Sequence, residues 1–473
     1  MANLKGLLKD TAIYGLSSIV GRFLNYLLVP LWTYCMPRET GDYGVTVNFY
    51  GYTALLLTLL TFGMETTLFR FANKENTEPD TVFSNAFAFV GSLTGLFLVL
   101  VLGFSSQISA AMGYADHPEY LCMMAVVTAL DVLQALPFAY LRFQKRPIKF
   151  ASLKLLFIVF NIALNALFFG FLHRTEAFYV FVVNLAGTSL ITFFFIPDLF
   201  RIRWHLDGAL FRRMFSYAWP MLLLGIAGIL NQAADKIVFP LVCDAADAKA
   251  QLGEYGACVK IAMIMAMITQ AFRFAYEPIV FAKSKDRDSM TYYADAMKWF
   301  VVFTLAAFLA VMALLDVLQF FVGADYRAGL RVVPIVMAAE IMMGIYFNLS
   351  FWYKLIDQTI WGAWFSGAGC LVLLAINVIF IPEYGYMACA WGGFAGYAVC
   401  MLLSYFVGQR KNPIPYDMKG IGGYVLLAAG LYAAMVLLPL EGYWGMAVKV
   451  ALLCVYMLPV LFSLRPYLVK KSK

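Results

Sequence analysis

The chain has 473 residues, of which 63% are hydrophobic and 13% are charged, whereas soluble proteins are typically about 45–50% apolar and about 25% charged. This balance excludes a soluble enzyme and a disordered chain, and it indicates an integral membrane protein. Because one membrane helix uses about 20 apolar residues, the composition suffices for roughly fourteen of them.

Apolar runs bounded by glycine, proline and charged residues predict an all-α polytopic membrane protein with about fourteen spans. Spans 1 to 6 lie at about 11–34, 43–63, 81–106, 119–143, 149–172 and 176–197. Spans 7 to 12 lie at about 215–242, 253–274, 291–315, 329–350, 357–380 and 385–408. Spans 13 and 14 lie at about 419–438 and 441–464.

Basic residues are distributed unequally between the two sides of this topology. With the N-terminus inside, most lysines and arginines fall on the cytoplasmic side, and the opposite side holds only Arg38, Arg174, Lys249, Arg327 and Arg331. Cytoplasmic loops of membrane proteins carry such an excess. The asymmetry predicts that both termini are cytoplasmic, and it explains the net charge of +7 without a nucleic-acid partner.

The loops offer little for catalysis. No predicted outer loop exceeds about fifteen residues or holds the paired carboxylates that general acid and base chemistry on a glycan would need. The three histidines, His117, His173 and His205, all lie near loops. We therefore expect a transporter rather than an enzyme, without a cofactor or a structural metal.

Sequence elements recur at a nearly constant distance. Span 2 begins with Gly41-Asp42-Tyr43-Gly44 and span 8 with Gly253-Glu254-Tyr255-Gly256, an offset of 212. In spans 4 and 10, Asp131 matches Glu340 at an offset of 209. Copies separated by six spans share one orientation, so we predict two six-helix lobes, 1–214 and 215–409, around a central cleft, with the last two helices at 410–473.

Several motifs resemble one family of transporters. The segments 22–30, 41–44, 62–65, 231–236, 323–327 and 382–385 resemble bacterial polysaccharide transporters of the Wzx flippase type. These belong to the multidrug/oligosaccharidyl-lipid/polysaccharide exporter (MOP) superfamily, with the lipid II flippase and the multidrug MATE exporters. The resemblance implies a MATE-like fold, alternating access and export of an undecaprenyl-pyrophosphate-linked oligosaccharide. Fourteen spans favour a flippase over a MATE exporter, which usually has twelve.

Polar residues inside the spans are the candidates for cargo binding, because a charge near the bilayer centre costs about 3 kcal/mol. Arg22 and Asn25 share one face of span 1, and Gln232 and Asp235 repeat that face on span 7. Arginine suits bidentate binding of a pyrophosphate, although Arg22 could instead form a structural ion pair. Lys154 and Lys260 are further candidates for substrate binding, and either side chain could equally extend towards the membrane surface.

Buried acids suggest coupling to an ion. Sodium-coupled members of the superfamily use a carboxylate on span 7 with polar groups of later spans, which implies Asp235, Asn377 and Glu340 here, with Na⁺ or H⁺ as the coupling ion. Packing could equally explain Asp235. Asp131 is either functional or a salt-bridge partner of Arg22 or Lys154.

Two further acids lie at the cytoplasmic ends of spans 2 and 8. Glu65 and Glu277 are within reach of basic loop residues such as Arg70, Arg273 and Lys283. Such pairs could form a gate, but a solvated charged rim explains them equally well.

These inferences predict a flippase that moves undecaprenyl-pyrophosphate-linked oligosaccharide to the outer leaflet of the bacterial inner membrane, for O-antigen, capsule or exopolysaccharide assembly. The alternatives are a cation-coupled multidrug exporter and a lipid II flippase. The expected partners are the lipid-linked glycan, membrane lipids, and a polysaccharide polymerase and glycosyltransferases acting on the same lipid. We expect the protein to be monomeric.

Overall fold

The computed structural model describes residues 26–73, 77–283, 289–356, 358–438 and 442–469, excepting the side chains at 274, 275, 277–279, 281–283, 289 and 465–469. Every regular element in these residues is helical. Thirteen helices in this part of the chain are long and apolar enough to cross a membrane. The prediction of an all-α polytopic membrane protein is therefore confirmed, and most of span 1 lies outside the described residues.

The chain separates into two compact units, Met1–Gly253 and Glu254–Lys473, called here the N-terminal and C-terminal units. The α-helices described in the N-terminal unit are α1 (Leu28–Cys35), α2 (Asp42–Thr61), α3 (Met64–Ala72), α4 (Pro79–Gly103), α5 (Ser105–Ala111), α6 (Pro118–Phe143), α7 (Pro147–Asn165), α8 (Ala177–Phe200) and α9 (Gly208–Val242). A 3₁₀ turn at Arg38–Thr40 and a π-helical turn at Ala166–Phe171 complete it.

The remaining helices begin with α10, which starts just before the boundary between the two units. They are α10 (Ala248–Lys283), α11 (Ser289–Ala313), α12 (Leu315–Leu318), α13 (Val333–Leu349), α14 (Phe351–Leu355), α15 (Ile360–Tyr384), α16 (Tyr386–Lys411), α17 (Met418–Leu437) and α18 (Gly442–Val469). Two 3₁₀ segments, Gln319–Phe321 and Ala324–Val332, connect α12 to α13.

Helix α9, which the sequence assigns to the second lobe, belongs to the first compact unit. It packs along α2, where Gly51 allows close approach: a Cβ atom there would lie 3.2 Å from the Cβ of Lys236. The compact units thus divide at 253, while the division into lobes at 214 and 409 stays a prediction about the repeat.

Each unit has its own apolar interior. In the N-terminal unit Met64, Leu68, Val82 and Val132 are fully buried in one cluster. In the C-terminal unit α15 and α16 pack closely, since a Cβ at Gly369 would lie 2.6 Å from the carbonyl oxygen of Gly396. Small residues commonly allow such contacts between membrane helices.

Large apolar side chains also cover the outside of the helices, as expected of a surface solvated by lipid. Examples of exposed side chains are Phe193, Leu371, Leu426 and Phe462.

The internal repeat is visible in contacts within each unit. Asp42 Oδ1 accepts a hydrogen bond of 2.9 Å from the backbone N–H of Ala177, the first residue of α8. Glu254, its counterpart, hydrogen-bonds to Tyr386, the first residue of α16. The acids are 212 residues apart and their partners 209 apart, so the acid of each motif lies beside the first residue of the last helix of its copy.

The second predicted span is longer than expected and is broken. Phe62 and Gly63 both have left-handed backbones, with φ of 52° and 68°, and the chain then continues as α3 to Ala72. Gly63 also lies against α9, where a Cβ would be 3.1 Å from that of Met221. The predicted helix end at 63 is instead a break between two helices.

The last two helices pack against α11 of the same unit. Lys449 of α18 donates to Asp316 at 2.7 Å, and Tyr456 donates to the carbonyl oxygen of Val302 at 3.1 Å. Lys298 of α11 donates to Asp417 at 2.7 Å, just before α17. The two helices are thus an integral part of the C-terminal unit.

Candidate functional site

Three of the predicted site residues come together in the N-terminal unit. Glu65 in the first turn of α3 accepts a 3.1 Å salt bridge from Arg142 in the last turn of α6. Lys154 of α7 lies within electrostatic range of Glu65, Arg142 and Asp131. Its ammonium is 3.9 Å from the centroid of the Phe138 ring. The partner of Glu65 is thus on α6, whereas the sequence suggested loop residues.

Asp131 connects this charged group to the interior of the unit. Its side chain hydrogen-bonds to Thr188 of α8 and lies in electrostatic range of Lys154. Tyr50 of α2 is close enough to interact electrostatically with Asp131, and its hydroxyl accepts a 2.7 Å hydrogen bond from Asn184. Asp131 and Lys154 thus lie within electrostatic range of each other, and the salt bridge between them stays a prediction.

The polar contacts continue along α7 and α8 to α1. Asn161 donates to the amide oxygen of Asn184 at 3.3 Å, and Asn165 donates to Asn161 at 3.0 Å. The indole N–H of Trp32 then donates to Asn165 at 2.8 Å. Together with Glu65, Arg142, Lys154, Asp131, Thr188 and Tyr50, these side chains form what we call the polar chain of the N-terminal unit.

The sequence identified only part of the polar chain. The spacing of Lys154, Asn161 and Asn165 on one face of a span was apparent, but their partners were not. Among these partners, only Asn184 could have been recognised in the sequence, because it is an amide within an otherwise apolar run. Trp32 and Tyr50 have a polar atom on an aromatic ring, and such residues are common in any membrane span.

Asp235 lies on α9 with 8% of its surface exposed. The ammonium of Lys236 lies 3.0 Å from Asp235 Oδ1 and 3.2 Å from its Oδ2, and it also donates to the carbonyl oxygen of Gln232 at 2.9 Å. Adjacent helical side chains point about 100° apart, which suggested separate directions, but the long lysine side chain folds back. A coupling cation at Asp235 would share this carboxylate with Lys236.

The other predicted residues lie apart from this group. Gln232 is exposed in the N-terminal unit, and Lys260 and Glu340 are half-buried in the C-terminal unit. Asn377 of α15 is completely buried, and neither of its side-chain polar atoms has a hydrogen-bond partner. The grouping of Asp235 with Glu340 and Asn377 involves both units and stays a prediction.

Three predicted residues fall outside what the structure describes. Arg22 and Asn25 precede the described residues, and the side chain of Glu277 is among those excepted. Their roles in substrate binding and gating stay predictions.

A second polar group, called here the outer cluster, lies at the end of the N-terminal unit predicted to face outwards. Arg38 pairs with Asp247 at 3.0 Å, and Lys249 donates to the carbonyl oxygen of Gly113 at 3.1 Å. Tyr114 donates to Asn48 Oδ1 at 2.9 Å. Asn48 in turn donates to the carbonyl oxygen of Lys236 at 2.6 Å, so the cluster connects the start of α2 with α9 and the start of α10.

Hydrogen bonds to the charged form shift the titration of one member of the outer cluster. The Asp247 carboxylate accepts side-chain hydrogen bonds from Gln251 and from Arg38. These bonds, the one from Gln251 most strongly, hold the pKa of Asp247 below its usual value. Burial raises the pKa of the nearby Tyr114 phenol, since it disfavours the phenolate. At neutral pH the Arg38–Asp247 pair is therefore charged and Tyr114 keeps its proton.

The glycines of the repeated motif make the outer cluster compact. Gly41 has a left-handed backbone with φ of 72°, and a Cβ there would lie 2.8 Å from the Cβ of Lys249. A Cβ on Gly44 would lie 1.8 Å from the carbonyl oxygen of Lys249. These glycines reveal the repeat in the sequence, but nothing in the sequence indicates their contact with residue 249.

Comparison with solved structures gives the fold. The chain is similar to the lipid II flippase MurJ in an inward closed conformation, with a TM-score of 0.76, 15% identity, and coverage of 96% of this chain and 98% of that one. It is also similar to an inward-facing multidrug resistance MATE transporter of the MOP superfamily, with a TM-score of 0.65, 13% identity, and coverage of 82% and 94%. The MATE multidrug transporter DinF-BH gives a TM-score of 0.60, 16% identity, and coverage of 86% and 96%.

Sequence comparison gives the family. No curated protein sequence matches the chain. A family model described as polysaccharide biosynthesis protein matches residues 7–282, more than half of the chain, and the protein therefore belongs to the polysaccharide biosynthesis protein family.

Proposed function

We propose that this protein is a flippase for undecaprenyl-pyrophosphate-linked oligosaccharide, moving it by alternating access from the cytoplasmic to the outer leaflet of the bacterial inner membrane. One observation carries the proposal: a chain of the polysaccharide biosynthesis family has the fold of a flippase and of MATE transporters. The product serves O-antigen, capsule or exopolysaccharide assembly. The protein moves its cargo without chemically changing it, and both of its termini are cytoplasmic.

The proposed route of the headgroup uses basic side chains within the spans. Lys154 and Arg142 place two cations beside the acids of the polar chain. Cations inside membrane spans are costly and usually functional. In the proposed mechanism Arg22 and Lys154, with Lys260, Asn25 and Gln232, hold the pyrophosphate and the first sugar while the polyprenyl tail stays in lipid.

The proposed cycle also needs a step that resets the protein. We assign it to Na⁺ or H⁺ acting at Asp235, with Glu340 and Asn377 as further polar groups. Asp235→Asn should weaken the dependence of transport on either ion in reconstituted vesicles, whereas unchanged ion dependence would remove Asp235 from this role.

A lipid II flippase is the second candidate, because the likeness to MurJ covers 96% of this chain at a TM-score of 0.76. The two cargoes share a polyprenyl pyrophosphate and differ in the glycan. Rescue of a cell that lacks its own lipid II flippase, by expression of this protein, would favour this candidate.

The proposal is tested by deleting the coding sequence and analysing undecaprenyl-linked intermediates together with surface polysaccharide. The expected result is accumulation of a lipid-linked oligosaccharide and loss of its surface polymer, both reversed by the wild-type protein and not by Arg22→Ala. Unchanged lipid intermediates with raised sensitivity to cationic drugs would overturn the proposal in favour of a multidrug exporter.

A further inference from the structure

A cavity opens at the end of the N-terminal unit that is predicted to face the cytoplasm. It lies between the first turn of α4 and the ends of α6 and α8. Its empty volume is about 570 Å³, including the part open to solvent, and about 150 Å³ of this is wide enough for the centre of a water molecule. One buried water needs about 10–15 Å³ on that scale, so roughly ten would fit. Neither the polar chain nor the outer cluster contributes to this cavity.

The lining of the cavity changes from charged to apolar along the helices. Asp80 is the second residue of α4, whereas Arg146 and Arg201 follow the ends of α6 and α8. Phe83 and Phe195 lie farther inside these helices and are buried. In the predicted topology the charged groups are therefore at the depth of the lipid headgroups, and the rings are at the start of the hydrocarbon layer.

Asp80 presents a carboxylate that lacks a cationic partner. Its Oδ1 accepts a hydrogen bond from the Tyr140 hydroxyl, and its Oδ2 accepts one of 3.5 Å from the backbone N–H of Arg203. Within the residues that the structure describes, no cationic side chain forms an ion pair with it. Because a carboxylate has about four acceptor positions, Asp80 can still accept from a donor in the cavity.

Arg201 and Arg146 present the opposite charge. Arg201 is exposed, and in the described part of the chain its side chain has no ion pair. The Arg146 guanidinium lies 3.9 Å from Asp198, whereas Lys149 is the closer partner of that carboxylate. Since Lys149 neutralises Asp198, Arg146 can contact a ligand without leaving an acid unpaired.

The charges of Asp80 and Arg201 have opposite signs and do not pair with each other. Asp80 would repel a simple anion, and Arg201 would repel a simple cation. A ligand that carries both an ammonium and a phosphate satisfies both side chains. The Tyr140 and Phe83 rings, whose centroids are 4.9 Å apart beside Asp80, add a further attraction for an ammonium.

The helix surface next to the cavity is apolar. On α8, Phe193, Ile196 and Phe200 share one exposed face. This face adjoins that of Phe195 and Leu199, which line the cavity. A headgroup bound in the cavity can therefore extend its acyl chains along α8, and this favours a lipid over a soluble phosphoester.

We propose that this cavity binds the headgroup of an aminophospholipid of the phosphatidylethanolamine type from the cytoplasmic leaflet. The ammonium donates to Asp80 beside the Tyr140 ring, the phosphate contacts Arg201 and Arg146, and the acyl chains follow α8. None of these residues belongs to the proposed route of the cargo, so the inference does not depend on the flippase function.

The experiment titrates the purified full-length protein in a neutral detergent and measures lipid binding by native mass spectrometry. The lipid probes are phosphatidylethanolamine, phosphatidylglycerol and phosphatidylcholine, all with dioctanoyl chains. Phosphatidylethanolamine should bind most tightly, because phosphatidylglycerol has no ammonium and phosphatidylcholine has no N–H to donate to Asp80. Glycerophosphoethanolamine, which has the headgroup without the chains, should bind much more weakly.

Two substitutions should change the affinities in different ways. Arg201→Gln should weaken the binding of phosphatidylethanolamine and of phosphatidylglycerol by about tenfold each, since both lipids lose one charged contact to the phosphate. Asp80→Asn keeps the shape of the side chain and an oxygen that accepts from Tyr140. It should weaken the binding of phosphatidylethanolamine by about tenfold and should not weaken that of phosphatidylglycerol.

Arg212→Gln and Asp207→Asn are the matched controls, because neither residue lines the cavity although both lie near the same end of the unit. Arg212 is exposed, and Asp207 caps α9, a role that asparagine fills equally well. Both control variants should bind all probes like the wild type. Should Asp80→Asn fail to fold, Arg201→Gln still tests the site, because the Arg201 side chain is exposed.

Three results would overturn the inference: phosphatidylglycerol or phosphatidylcholine binding as tightly as phosphatidylethanolamine, an unchanged lipid preference in Asp80→Asn, or cavity variants that bind like their controls. Equal binding of glycerophosphoethanolamine and the lipid would overturn the assignment to a membrane lipid. Each of these results can be obtained whether or not the deletion strain shows a defect in polysaccharide export, so failure of this inference and failure of the proposed function are distinguishable.

Discussion

We expect that adding a single methyl group at Gly44 disrupts the outer cluster. A Cβ at this position would lie 1.8 Å from the Lys249 carbonyl oxygen, against about 3.4 Å for ordinary contact. The backbone at residue 249 must therefore retreat by roughly 1.5 Å in Gly44→Ala, because neither partner is a flexible side chain.

The size of the effect follows from two opposing terms. Overpacking costs about 1–3 kcal/mol, and more where backbone must move, while replacing glycine by alanine within a helix gains about 1 kcal/mol. We expect a net loss of about 2 kcal/mol from the contact between α2 and the start of α10. This corresponds to a population of the opened cluster that is roughly 30-fold larger.

The assay is the rate at which a thiol at position 46 reacts with a membrane-impermeant maleimide in the purified protein. Thr46 lies in the cluster's helix, one turn from Asp42, and is 0% exposed, so Thr46→Cys reacts only after opening. With the native cysteines replaced by serine, Gly44→Ala should raise the labelling rate by about 30-fold. Gly95→Ala, where a Cβ meets no atom within 4 Å, should leave it unchanged.

An unchanged rate in Gly44→Ala, or an equal increase in Gly95→Ala, would refute the argument. The first result would mean that residue 249 adjusts without loss of the cluster. The second would mean that the increase in labelling does not depend on the close contact at residue 44.

Three further predictions follow from the contacts described above. Asn377→Leu should raise the thermal midpoint in sodium-free buffer by a few degrees, because burial of an unpartnered amide costs about 1–3 kcal/mol; a lower midpoint would contradict this. A double-mutant cycle of thermal unfolding with Arg142→Gln and Glu65→Gln measures the coupling free energy of this salt bridge. Because both side chains are more than a third exposed, the coupling free energy should be below about 1 kcal/mol. A much larger value would show that the pair is shielded from solvent. The lowered pKa of Asp247 means that its stabilisation is fully present above its unfolded pKa of about 3.9 and is lost as the pH falls through the lower, folded value. The wild type should therefore unfold at a higher temperature than Asp247→Asn at pH 7, and this difference should shrink as the pH is lowered below about 3.9. A difference that does not change over the whole acid titration would count against the ion pair with Arg38.

The sequence was sufficient for the fold because a membrane helix is recognisable one segment at a time. Apolar length located the spans, and the motifs at 41–44 and 253–256 revealed the repeat that Asp42 and Glu254 display in their contacts. Which helices pack together could not be predicted this way, because that depends on close contacts at single glycines. Gly51, which lies against Lys236 of α9, is one such contact.

The contacts of the candidate site were harder to predict from the sequence, for a related reason. A charge in an apolar span is conspicuous, so Lys154, Asp131 and Asp235 were found. Their partners were mostly hydroxyls, amides and aromatic rings, such as Thr188 and Tyr50, which are too common in membrane spans to stand out. The folding of Lys236 back onto Asp235 depends on side-chain torsions that no helical spacing encodes.

The packing of α2 against later residues sets an order for assembly of the N-terminal unit during synthesis. Helix α2 ends at Thr61, but the atoms that complete its contacts extend to Lys249. At roughly 5–20 residues per second, the ribosome needs on the order of 10–40 s to reach that point. During this interval the amide of Asn48 and the glycines of α2 lack these later partners, so the packing of α2 is completed only after α9 and the start of α10 have been synthesised.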